Sequence, residues 1–219
     1  MIGNDATRLA LKTELWERVE ALGFHRSLFP SSEETINKIV EQLESMNPIP
    51  YPLSRNHLST LLGYWQLVYA SRGTVVTRTV ASIPDFWGLI KIKQVWQQLE
   101  TGGNESISAS NGALFDLSFL GEWQIQANGL WQWSGDREKV AKVKFSTFAM
   151  QATKPFGISA WSFPELKIPV LEFLQNEALW ITSFLDEEMR VGRGATGNLF
   201  VFRRRSVSGE TLQSELVSD

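Results

Sequence analysis

The feature that most constrains this chain is a change of hydrophobic period near residue 64. Before it, apolar residues recur at helical spacing. Leu9, Trp16, Val19 and Leu22 form one stripe, and Ile36, Ile39, Val40, Leu43 and Met46 form another. After it the period is two. Alternation of apolar and polar side chains describes strands with one dry and one wet face, so the body of the chain must bury one side of a sheet. Roughly eight to ten such runs follow in order, joined mostly by short turns. An open sheet of that size leaves two edges, and closing it into an up-and-down ring removes both. The expected fold is mainly β with α: an antiparallel up-and-down β-barrel preceded by an N-terminal helical arm. A β-sandwich is the main alternative.

The boundaries follow from the punctuation. Residues 1–46 form the helical arm: Asp5 caps the first helix, Gly23 ends it, and Ser31-Ser32-Glu33-Glu34 opens the second as a capping box. Asn47-Pro-Ile-Pro-Tyr-Pro52 cannot continue a helix, so residues 47–53 read as a proline-rich elbow. The barrel is expected over 54–205, with one short helical turn at Leu58 to Leu62. Strands are expected at Tyr64 to Ala70, Thr74 to Ala81, Leu89 to Glu100, Glu105 to Leu120, Gly121 to Trp133, around Val143 to Thr147, and at Leu179 to Leu185, Met189 to Arg193 and Leu199 to Arg204. Thr101-Gly-Gly-Asn104 and Ser134-Gly-Asp136 read as turns. Lys154 to Leu174 carries prolines and aromatics without a period. It is expected to plug the barrel mouth with Phe156, Trp161 and Phe163, the alternative being shallow insertion at a lipid surface. Residues 206–219 read as a flexible tail.

Composition narrows the chemistry. The chain has no cysteine, which removes disulfides, thiolate metal sites and a Cys nucleophile, and only two histidines, His25 and His57. No metal site and no cofactor are expected. Residues 1–50 hold five Lys and Arg against eight Asp and Glu, while the remainder is balanced, so no field draws nucleic acid. There is no secretory signal and no apolar run of membrane-spanning length. The expected location is cytoplasmic or peripheral to a membrane. Nine tryptophans and thirteen phenylalanines suit strands and the walls of an apolar cavity, but sequence leaves open whether the interior is full or hollow.

The short motifs argue against catalysis. Gly192-Arg-Gly-Ala-Thr-Gly197 matches G-x-G-x-x-G, yet Asn198 to Arg203 reads as a strand where a dinucleotide site requires a helix, so a tight hairpin is expected. Gly157-Ile-Ser-Ala-Trp161 has Trp where a nucleophile elbow needs glycine, and neither histidine is placed to serve it. Asp186-Glu-Glu188 reads as a charged turn rather than a pair of catalytic carboxylates. The chain is expected not to be an enzyme.

Two stretches carry a resemblance. Gly63-Tyr-Trp65 opening the first strand resembles the lipocalin signature, in which the tryptophan closes one barrel end beneath an arginine of the last strand; Arg203 or Arg204 would supply it. Trp180-Ile-Thr-Ser-Phe-Leu-Asp-Glu-Glu-Met-Arg-Val-Gly-Arg-Gly194, followed by Asn198-Leu-Phe-Val-Phe202, resembles the C-terminal signature of the plastid lipid-associated (PAP/fibrillin) proteins, with Phe184 standing where tyrosine is usual. Asn47-Pro-Ile-Pro and Leu62-Gly-Tyr-Trp-Gln-Leu-Val-Tyr-Ala70 resemble the family's upstream landmark. The resemblance covers about 35–205. It implies a lipocalin-like barrel associated with plastoglobules or thylakoid membranes, binding isoprenoid or other lipids without catalysis. With no transit peptide ahead of the helices, a cyanobacterial-type member or a processed form is expected.

The functional expectation is binding of a hydrophobic small molecule, such as an isoprenoid, quinone, carotenoid or other lipid. Trp96, Trp123, Ile125, Val143, Phe145, Trp180 and Phe184 are the expected inward positions. Arg190 or Arg193 would meet a polar head, or else pair with Asp186 or Glu188 to fix the hairpin. Gly63, Trp65, Asp186, Gly194 and Arg203 are the expected structural signature. The alternative is a filled barrel that docks a protein partner or membrane through helices 5–46.

Overall fold

In the computed structural model, residues 2–30, 34–71, 90–103, 106–133, 139–156, 166–168, 178–195 and 197–205 are described. The expected strand at Thr74 to Ala81, the Ser31 cap, the turn at Ser134, Trp161, Phe163 and the tail at 206–219 lie outside them. Among the described residues three helices, α1 (Ile2–Leu28), α2 (Glu34–Ser45) and α3 (Leu58–Leu61), precede nine strands. The strands are β1 (Gly63–Ala70), β2 (Ile90–Thr101), β3 (Ser106–Leu117), β4 (Gly121–Gln132), β5 (Val140–Pro155), β6 (Leu166–Ile168), β7 (Ala178–Leu185), β8 (Met189–Gly194) and β9 (Leu199–Arg204).

β1 to β5 each pair antiparallel with the next, β5 passes to β7, β7 to β9 pair in order, and β9 returns to β1. Eight strands thus close a barrel-like, up-and-down ring, and β6 adds to the side of β5. Closure is uneven along the axis. Only Val140 to Val143 of β5 pair with β7, whereas the far half of β5 pairs with β4 and β6. Among the described residues, β5 and β7 therefore pair at the end where β1 begins and do not pair at the opposite end.

The alternation predicted from sequence produces two apolar layers. Inward side chains include Trp65, Leu67, Ile107, Ala109, Trp131, Ala141, Val143 and Phe202. The outer face of β1, β7, β8 and β9 presents Tyr69, Phe184, Met189, Val191, Leu199 and Val201 to Leu15 and Val19 of α1 and Ile36, Ile39, Val40 and Leu43 of α2. The helices are thus a second wall of the barrel, and their apolar faces are occupied by the chain's own sheet. Burying each such Leu or Ile contributes about 1.5–3 kcal/mol relative to leaving it in water.

Several expectations are corrected. Gly23, with φ 72° and ψ 160°, interrupts α1, and helix resumes to Leu28. β3 stops at Leu117, leaving Ser118 to Leu120 as a turn. Phe156 is not a plug: it is 62% exposed. Gly197 holds a positive φ of 77°, a conformation that suits the tight hairpin expected there.

Candidate functional site

The floor of the barrel is built where both signature stretches meet. Trp65 on β1 is fully buried and donates its indole N–H to the Leu61 carbonyl of α3 at 2.8 Å. The Arg204 guanidinium lies 4.2 Å from the Trp65 ring centroid, and its N–H groups donate to the carbonyls of Thr60, Leu62 and Glu187. The arginine that closes this end is therefore Arg204. Arg203, one residue earlier, faces the other way, over Trp16 of α1 and within 3.8 Å of Glu20. The elbow joins the same end: Asn47 Oδ1 accepts from the Leu185 and Ile49 amides, both at 3.1 Å.

Above this floor stands Arg190, with none of its surface exposed. Met189 and Val191 beside it face the helices, so strand alternation sends Arg190 into the ring. Its guanidinium carbon lies 4.3 Å from the Phe202 ring centroid, 5.2 Å from Trp65 and 5.6 Å from Trp131. One Nη donates to Gln97 Oε1 at 2.5 Å, and Gln97 Nε2 donates onward to Asn111 Oδ1 at 2.6 Å. Arg190 Nε and its other Nη meet no acceptor. Burial pushes the guanidinium well below the usual arginine range, and the charge of Arg204 pushes the same way.

Trp180 completes the cluster. Its ring lies 5.6 Å from that of Trp131 and 5.3 Å from Phe200. It rests flat on Gly192, where a Cβ would fall inside the indole, so the small residue on β8 is what makes room for the large one on β7. The indole N–H groups of Trp131 and Trp180 are buried without acceptors, as is the Thr182 hydroxyl.

The remaining expected residues divide by face. Trp123, Ile125, Val143 and Phe145 share the inner face with Trp131, by the register of β4 against β5. Trp96 does not. Gln97 points into the ring, so Trp96 points out, where it stacks on Tyr64 at 6.3 Å and covers Gly112. Tyr64 itself, which accepts from Gln94, has its hydroxyl pushed up to about 12 by burial. Phe184 also lies outside the ring, in the layer against the helices. Arg193 is on the outer face as well. It grips Glu44 of α2 through two bonds of 2.7 Å, which holds its guanidinium above the ordinary value. Neither Asp186 nor Glu188 pairs with Arg190 or Arg193; both take Lys12 of α1 at 2.8 Å. Asp186 also accepts from the amides of Glu188 and Met189, shaping the β7–β8 turn. Gly192 to Gly197 connects β8 to β9 as the expected hairpin, with no helix following.

The sequence reading missed the role of Gln97, Asn111 and Trp131. A polar residue at an inward position of β2 facing another on β3 was the available signal.

Comparison with known proteins gives one consistent answer. The chain is 27% identical over 210 residues to probable plastid-lipid-associated protein 3, chloroplastic, of Oryza sativa subsp. japonica, covering 82% of this chain and 54% of that one. It is 25% identical over 215 residues to the chloroplastic light-induced protein of Solanum demissum, covering 82% and 63%. It is 25% identical over 231 residues to chromoplast-specific carotenoid-associated protein C1 of an Oncidium hybrid cultivar, covering 91% and 70%. The chain spans less than two thirds of the length of the first two relatives. No solved structure matches it. The PAP_fibrillin family model matches residues 10–203, from within α1 to all but the last residue of β9, and the chain belongs to that family.

Proposed function

We propose that this protein binds a hydrophobic small molecule inside its strand ring, without catalysis, in association with plastid-type lipid structures or photosynthetic membranes. The observation that carries this reading is the contrast along the inner wall. At the floor, Trp65, Trp131 and Leu99 are sealed, whereas the inward Ile92, Val95, Ile125 and Phe145 remain half-buried although they face the ring's interior. A filled barrel would bury them. Apolar walls with a few polar groups at one end are the usual make-up of a small-molecule site. Relatives named as lipid- or carotenoid-associated support the ligand class. The alternative, docking a protein through α1 and α2, has less in its favour, because the apolar faces of those helices already lie on β7, β8 and β9.

Peripheral contact with a lipid surface belongs to the same reading. Among the described residues no helix is long and apolar enough to cross a membrane. The exposed Phe119, Leu120 and Phe156 gather instead at the open end of the ring.

Native mass spectrometry of the purified protein, followed by organic extraction, tests the binding reading. A stoichiometric co-purified lipid or pigment is expected. Protein that carries none, and whose tryptophan fluorescence shows no saturable response to isoprenoids, quinones or fatty acids, would exclude it.

A further inference from the structure

The groups at the barrel floor have one chemical property in common. Arg190 Nε and Nη, Trp131 Nε1 and Trp180 Nε1 are all donors, all buried, and all without an acceptor; only the Thr182 hydroxyl, equally unpartnered, could act either way. No carboxylate is ion-paired with Arg190 among the described residues. The acidic groups of the β7–β8 turn at the floor are engaged elsewhere: Asp186 and Glu188 with Lys12, and Glu187 with the Thr60 hydroxyl and the charge of Arg204. The nearest charge that acts on Arg190 is another cation, Arg204. A buried arginine with two empty N–H positions is costly, because neither water nor a counter-charge replaces what folding removed. Its cation–π contacts with Trp65, Trp131 and Phe202 offset part of that cost but use the face of the guanidinium, leaving its edge open.

We propose that this edge is a receptor for the carboxylate of a long-chain apolar acid, which enters head first and leaves its tail along the half-buried inner wall. The inference rests on the small-molecule reading above and sharpens it. A carboxylate offers acceptors only, and its two oxygens match a parallel pair of N–H groups formed by one of the unpartnered nitrogens and the second hydrogen of the Nη2 that donates to Gln97. The Trp131 ring lies 5.6 Å from the Arg190 guanidinium carbon and 5.6 Å from the Trp180 ring, so two further rings with unpartnered N–H groups stand in the same cluster. Gln97, held by Asn111, fixes the third guanidinium position so that the free edge keeps its direction. From there the tail would run past Phe145 and Ile125 towards the open end, where β5 parts from β7. A pure hydrocarbon would leave every one of these donors unsatisfied. An alcohol would satisfy one without neutralising the charge.

The test uses matched pairs that differ only at the head: palmitic acid against hexadecanol, and retinoic acid against retinol. The two pairs also separate a straight chain from an isoprenoid one. Binding to the full chain is followed by tryptophan fluorescence at neutral pH. At least one acid is expected to bind roughly ten- to a hundred-fold tighter than its alcohol, the range expected for hydrogen bonds to a charged group. Arg190→Met keeps the length and apolar character of the stem, and should reduce that preference to near unity while the alcohol binds as before. The same substitution should raise the urea midpoint of the ligand-free protein, since it removes an uncompensated buried charge. Arg190→Lys keeps the charge and loses the fork, so its preference should fall between the two. Acid and alcohol binding equally to the wild type, or a preference that survives Arg190→Met, would overturn the carboxylate assignment and leave the hollow-barrel reading standing. Binding of none of the four, with no lipid extracted from the purified protein, would overturn both.

Discussion

Gly63 is the residue on which the floor turns. Its φ of 126° lies where side-chain-bearing residues are strained, and a Cβ there would stand 2.7 Å from an Arg204 guanidinium nitrogen. Glycine is needed twice over: to let the chain turn from α3 into β1, and to let Arg204 lie across the start of the strand above Trp65. Gly63→Ala should therefore destabilise the fold by about 1–3 kcal/mol. If Arg204 is what the new methyl strikes, shortening it should relieve part of that loss, and Gly63→Ala with Arg204→Ala should cost less than the two changes added. Urea unfolding of the four proteins measures this. Strict additivity would mean that the strain lies in the backbone alone. The Gly63-Tyr-Trp65 stretch and an arginine near the end of the chain were readable in sequence. Which of two neighbouring arginines does the work was not, because alternation assigns Arg203 and Arg204 to opposite faces and only the register of β9 against β1 decides between them.

At the scale of elements, the sequence shows its alternation but not the places where the alternation slips. The order of strands was legible because each run carries its own period of two and most turns are short. The facing of Trp96 and Phe184 was not. β2 is irregular against β3 between Ile92 and Gln94, and β7 against β8 between Thr182 and Phe184. One extra residue in a strand exchanges the two faces beyond it. Ile92 and Trp96, four residues apart, therefore end on opposite sides, as do Trp180 and Phe184. The helices were equally legible as amphipathic elements, but their partner was not, since nothing local says that an apolar stripe will meet the outside of the same barrel. That docking is held by specific polar contacts at its edges. Arg193 and Glu44 form a two-bond fork between β8 and α2, with side chains 27% and 15% exposed. A double-mutant cycle with Arg193→Met and Glu44→Gln should give a coupling of about 1 kcal/mol. Added salt should weaken it only slightly, because the pair is half-sheltered. A coupling indistinguishable from zero would show that the apolar layer alone fixes α2.

For the molecule as a whole, the two ends of the ring are built for different tasks. The floor is sealed by α3, Trp65 and Arg204. The opposite end carries Phe119, 88% exposed, together with Leu120 and Phe156, and the Phe156 amide donates to the Leu120 carbonyl at 3.2 Å, so the β3–β4 turn and the end of β5 form one tip. Both phenylalanines hold positive φ, 73° at Phe119 and 52° at Phe156, a conformation in which a bulky residue is disfavoured and asparagine or glycine is at ease. Stability alone would place neither aromatic there. The combination fits a tip that touches lipid, where exposed rings gain what they lose in water, and it stands at the end through which a ligand would enter. Replacing both by Asn should then move two properties in opposite directions. The fold should gain roughly 1 kcal/mol from relief of the left-handed strain, read as a higher urea midpoint. Flotation with liposomes should fall, and in the wild type it should depend little on salt, since the contact is apolar. A wild type that never floats, or a double variant that floats as well as the wild type, would leave the tip without a membrane role. A double variant that floats less but is also less stable would mean that the rings support the fold, and that the loss of flotation follows from its weakening.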